Sequence, residues 1–135
     1  MKQEFSVPKF PTKNFYVFVN QDHIKYGKRY DCTWCPITTA VSQYISKHIS
    51  KQIYVEVGLT GILFGNSDIG LAEACRRGET DPLKHYIDIP IDKHLRQWLL
   101  DYDEKGASNV DPIYIHFDMK NKRAKLAKEN SQYEP

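Results

Sequence analysis

An α+β fold, built on a mainly antiparallel sheet of four to five strands with two principal helices on one face, is predicted by three features of this sequence. Short β-branched and aromatic runs recur at 15–19, 53–57, 84–89 and 113–117. Apolar residues at helical spacing follow Pro36 and again Asp92. Between them, Thr60-Gly61 joins two strand patterns back to back, which makes a hairpin and not a parallel crossover. At 135 residues, 41% hydrophobic, the chain is sized for one core.

The elements follow in order. Pro8 and Pro11 within residues 1–14 read as an extended lead-in. Phe15-Tyr16-Val17-Phe18-Val19, bounded by Asn14 and Asn20, is the first strand of a single domain over 15–119. Residues 23–30 read as a polar connector with a turn at Gly27. A helix then starts at Pro36, a residue suited to the first helical position, with Thr33 or Cys35 as cap and Ile37, Ala40, Val41, Tyr44 and Ile45 as its apolar stripe. Ile53, Val55 and Val57 alternate with Tyr54 and Glu56, and the run 62–64 closes the hairpin. Ser67 and Asp68 cap a short helix through Leu71, Ala72, Ala74 and Cys75. After the strand at 84–89, Asp92 caps a helix with Leu95, Trp98, Leu99 and Tyr102 on one side, stopped by Gly106. In the last strand Ile113, Ile115 and Phe117 share one face, Tyr114 and His116 the other. Residues 120–135, lysine-rich and poor in large apolar side chains, read as a basic, flexible tail.

Composition excludes several classes of function. Nineteen Lys and Arg against 17 Asp and Glu leave a net charge of +2, which creates no one-sign field and implies no nucleic-acid partner. Uncharged apolar stretches fall far short of the roughly 20 residues that span a bilayer, and the first residues lack the apolar run of a secretory signal, so a cytoplasmic protein with no membrane partner is expected. Three cysteines, an odd number, point to reduced thiols.

Cys32 and Cys35 sit where a helix begins, and the partial positive charge there favours thiolate. Three readings are open. A redox couple is weakened by the proline after the second cysteine and by the hairpin that follows the helix. A zinc site would need two further ligands, from His23, Cys75, His85 or His116. Packing of a small apolar side chain at the helix start is the third. No phosphate loop, His-Glu-x-x-His or paired-carboxylate signature is present. Tyr16, Tyr54, Tyr114 and His116 lie on the less apolar faces of their strands, where rings stack on a base, a nucleotide or a partner surface. These four and His23 are the candidate binding residues; Lys122, Arg123, Lys125 and Lys128 in the tail would add phosphate contacts, although a lysine-rich terminus is usually a solubilising one.

One further pattern runs through the folded part: His23-Ile24-x-x-Gly27, Asp31, Cys35-Pro36-Ile37 with Ala40-Val41, Val55-x-Val57-Gly58, Ile89-Pro90, then Leu95, Trp98-Leu99, Tyr102-Asp103 and Gly106, ending in Pro112 and the alternation to Phe117. It resembles a set of small uncharacterised proteins of tailed bacteriophages and scattered bacteria. In that pattern the Cys35-Pro36-Ile37 segment outweighs the cysteine pair, and 66–82 looks like an insertion. The resemblance implies an accessory role, in the host cytoplasm if phage-encoded, and no activity. The expectation is a non-enzymatic binding protein that sequesters a small ligand or occludes a host protein, as a possible homo-oligomer and without a cofactor. The alternative is a thiol- or zinc-dependent enzyme using Cys32 and Cys35.

Overall fold

Alternation of apolar and polar side chains makes the strands, because a side chain at every second position reaches the same face. In the computed structural model, which describes residues 6–69 and 85–127, β1 spans Phe15–Val19, β2 Ile53–Val57 and β3 Gly61–Asn66. β4 follows at Tyr86–Pro90, β5 at Ile113–Asp118 and β6 at Arg123–Leu126. Three α-helices join them among the described residues: α1 over Gln21–Tyr26, α2 over Pro36–His48 and α3 over Lys93–Lys105. The helix expected through Leu71 and Cys75 lies outside the described residues.

The α+β class holds, but the single sheet of four to five strands does not. Two three-stranded antiparallel sheets form, in the orders β1-β5-β6 and β2-β3-β4. They meet at one parallel bridge, Ile91 to Ala124. The pairing stops there for two local reasons. Pro90, the residue before the bridge, has no N–H to give to a neighbouring strand. Asp92, the residue after it, gives its amide to the Ala124 carbonyl (3.0 Å) and turns at once into the N-cap of α3. α2 packs against β1 of one sheet and β2 of the other, so the strand run curls around this helix and closes a common core. Ile37, Val41 and Ile45 of α2 are fully buried there with Val19, Ile62, Phe64, Ile89, Leu95, Ile115 and Phe117. The Phe64 and Phe117 rings, one from each sheet, lie 5.9 Å apart. Burying each such side chain contributes about 1.5–3 kcal/mol.

Two further expectations change. The polar connector after β1 contains α1, a six-residue helix with one buried apolar residue, Ile24. A single apolar anchor leaves no periodicity to read, so the helix rests on its cap. The Asn20 side chain accepts from the His23 amide at 2.9 Å, and His23 Nδ1 accepts from the Asn20 amide at 3.0 Å. This is a reciprocal box with histidine where glutamate or glutamine is usual. The basic tail, too, begins with structure: Arg123–Leu126 is strand β6, paired to β5 with Ala124 opposite Phe117 and fully buried. A small residue there lets α3 and both sheets approach. Of the lead-in, residues 6–14 form neither helix nor strand, with Pro8 and Pro11 buried and the Ser6 carbonyl accepting from Gln52 Nε2 and Asn66 Nδ2.

Candidate functional site

The outer face of the β1-β5-β6 sheet collects most of the candidate residues. Residues directly opposite on antiparallel strands project to the same side. Tyr16 stands opposite His116, and His116 opposite Lys125. Phe18 stands opposite Tyr114, and Asp118 opposite Arg123. The cross-strand rings stack: Tyr16 on His116 at 4.6 Å and 18°, Phe18 on Tyr114 at 4.6 Å and 29°. Tyr16 and Phe18 remain 39% and 42% exposed, high for rings of this size, whereas Tyr114 is 8% exposed. The outward platform is therefore Tyr16, Phe18 and the half-buried His116, with Tyr114 as the ring that supports Phe18. Phe18 was not among the candidates from sequence. Its signal was legible in the alternation, since it lies two residues from Tyr16 on the same strand face.

The third strand gives this face its charge. Between Asp118 and Lys125 the chain carries Lys120, Lys122, Arg123 and Lys125 against one carboxylate. Asp118 is held below the usual carboxylate range, first by the Asn121 side chain that donates to it (2.9 Å), then by the Asn121 amide, with Lys125 and His116 adding attraction. It is thus committed to closing the β5-β6 turn. Arg123 and Lys125 also line a cleft of about 200 Å³ with Pro90, Ile91 and Asp92. The Asp92 carboxylate in that cleft is already engaged, accepting from the Leu95 amide at 2.8 Å and the Leu126 amide at 3.4 Å.

No protein-family model, curated protein or solved structure matches the chain.

The remaining candidates lie elsewhere. Tyr54 belongs to the other sheet, where its hydroxyl donates to the Tyr86 hydroxyl at 2.8 Å. Burial, then that hydrogen bond, pushes its phenol strongly up. Its ring crosses Gly65, where a Cβ would lie 2.5 Å from Tyr54 Cζ. Tyr54 is therefore a packing residue over a glycine. His23 is held in the α1 capping box, which leaves Nε2–H to donate to Gln43 Oε1 at 2.7 Å. It lines a separate cleft of about 370 Å³ with Tyr26, Trp34 and Gln43. The structure thus brings Tyr16, Tyr114 and His116 together and leaves Tyr54 and His23 apart.

The cysteines occupy unlike environments. Both are free thiols, Cys32 exposed and Cys35 buried. Cys35 is the N-cap of α2, its sulfur accepting from the Thr38 amide at 3.5 Å. The Thr38 hydroxyl donates to the Cys32 carbonyl at 2.8 Å and so keeps a lone pair for the Cys35 S–H, 3.1 Å away. That Cys32 carbonyl also accepts from the Val57 amide at 3.0 Å, tying the helix start to the end of β2. Burial pushes the Cys35 thiol up, against the direction a nucleophile needs. Among the described residues no three His, Cys, Asp or Glu side chains converge to hold a metal ion. Nor is any described helix long and apolar enough to cross a membrane.

Proposed function

We propose that this chain is a non-enzymatic binding protein whose working surface is the outer face of the β1-β5-β6 sheet. One observation carries the reading: Tyr16 and Phe18, two large rings, stay more than a third exposed while stacked on His116 and Tyr114 across the sheet. A ring supported from behind is already fixed in place, so little side-chain entropy is lost when a partner covers it. Aromatic side chains of this kind dominate binding surfaces because they offer a large apolar area with few rotatable bonds. The accessory role implied by the phage-protein resemblance agrees with a chain that binds and does no chemistry. The buried, proton-retaining Cys35 favours this reading over a thiol enzyme.

Native mass spectrometry of the chain purified from expressing cells tests it, beside a Tyr16→Ala, Phe18→Ala double variant. A bound molecule or a second copy, seen with the parent chain and missing from an equally well folded variant, is the expected result. Identical bare spectra for the two would remove the reading.

A further inference from the structure

We infer that the occupant of this face is a single-stranded nucleic acid, its bases stacked on Tyr16 and Phe18 and its phosphates against the basic β5-β6 hairpin. The inference rests on the binding reading above and names the class of ligand.

Two features of the face coincide, and each calls for a different part of such a ligand. The rings supply flat apolar surfaces, which any base covers with its own π-face. Tyr16 and Phe18 are two residues apart on β1 and thus about 7 Å apart along the strand. That is within reach of two successive bases of an extended strand. The cations begin across the strands from Tyr16 and run on into the β5-β6 turn. Lys125 continues the row Tyr16, His116 on β6, and Arg123 stands beside it on the same strand face. Lys120 and Lys122 follow in the turn, and both are exposed. Against these four cations stand the carboxylates of Asp118 and Asp92, which accept from Asn121 and from the Leu95 and Leu126 amides and offset two of the four charges. Four cations less two carboxylates leave a local charge of +2, equal to that of the whole chain but concentrated in and beside one hairpin. A partner with flat rings alternating with anions is complementary to this arrangement, whereas an apolar protein surface would leave the excess cations uncompensated. A duplex is a poor fit, since its bases are stacked on one another and unavailable to the rings.

Fluorescence anisotropy with labelled oligo(dT), oligo(rU) and a duplex of equal length tests the inference. Both single strands, or one of them, should bind better than the duplex, and a preference between the two names the sugar. With three or four phosphates neutralised, affinity for a single strand should fall about twentyfold to fiftyfold between 50 and 200 mM salt. Tyr16→Ala and Phe18→Ala should each weaken binding about tenfold, the effect of losing one stacked base. Tyr16→Phe should bind like the parent chain. Replacing Arg123 and Lys125 together by Gln should flatten the salt dependence by about 1.4 in log–log slope. Absence of single-strand binding at low salt would overturn the inference. So would binding that Tyr16→Ala leaves intact, or that the duplex matches, since a basic hairpin alone would then explain it. If oligonucleotides fail while the native spectrum still shows a species that depends on Tyr16 and Phe18, the ligand class falls and the binding face stands. If both fail, both fall.

Discussion

Cys35 shows how one side chain's environment decides its chemistry. At a helix N-terminus the dipole alone would favour thiolate, yet the side chain is only 2% exposed and burial prevails. The thiol is raised from an ordinary value of 9.0. Because the folded state holds this proton more tightly than the unfolded chain does, its contribution to stability is intact below pH 9 or so and is lost as pH rises through the raised value. At neutral pH, iodoacetamide should therefore modify Cys32 rapidly and Cys35 only when the protein unfolds. Tandem mass spectrometry of the peptide containing both residues distinguishes the two sites. Equal labelling of the native protein would show Cys35 to be an accessible thiol after all. Gly65 makes a related point, since its lack of a Cβ is what lets the Tyr54 ring lie across β3.

At the scale of elements, Asp92 does the most with the least. Its carboxylate caps α3 through the Leu95 amide and also receives the Leu126 amide of β6, so one side chain fastens a helix to a strand 34 residues away. Asp92→Ala should cost stability at the upper end of the roughly 0.5–2 kcal/mol expected for a cap, and Asp92→Asn should restore most of it. Thermal denaturation of the three proteins checks this; a loss that Asn does not recover would point to charge and not to capping. α1 illustrates the opposite case, an element held by its ends. The capping box of Asn20 and His23 and the Pro36 ring packed against Gly27 confine six residues that have one buried apolar anchor.

At the scale of the whole molecule, the two sheets depend on the narrow contact at Ile91 and Ala124. Ala124 is fully buried beside Phe117, at the seam where both sheets meet. Ala124→Asp would place an unpaired charge there, with a penalty of about 3–5 kcal/mol, a large part of the roughly 5–15 kcal/mol that holds an ordinary domain folded. Urea denaturation should show a correspondingly lower midpoint. An unchanged midpoint would mean that residues 123–126 behave as a tail and carry no part of the fold. The same seam leaves Arg123 and Lys125 projecting outward beside the aromatic rows, so the strand that completes the core also supplies the charge of the binding face.

How much of this was legible beforehand differs with the range of the interaction. α2, α3, the β2-β3 hairpin and the alternation of β1 and β5 follow from local patterns, because turn chemistry, caps and side-chain period act within a few residues. So do the Asp92 cap and the placement of Tyr16, Tyr114 and His116 on polar strand faces, whereas the cap of α2 was narrowed only to Thr33 or Cys35. The separation into two sheets was not legible, since it depends on which strand edges meet at Pro90, Ile91 and Ala124. Strand β6 was hidden in a lysine-rich stretch because its inward positions are occupied by Ala124 and Leu126, too little apolar area to stand out until a neighbouring strand covers it. Tyr54 and Tyr16 look alike as sequence, each an aromatic residue on the polar face of a strand. Only the tertiary structure distinguished them, by setting Tyr86 and a glycine against one and leaving the other 39% exposed and stacked on His116, in line with Lys125. The sequence by itself determined which segments become helices and strands and which faces are apolar; the tertiary structure decided which of those faces stay uncovered, because coverage depends on contacts between residues far apart in the chain.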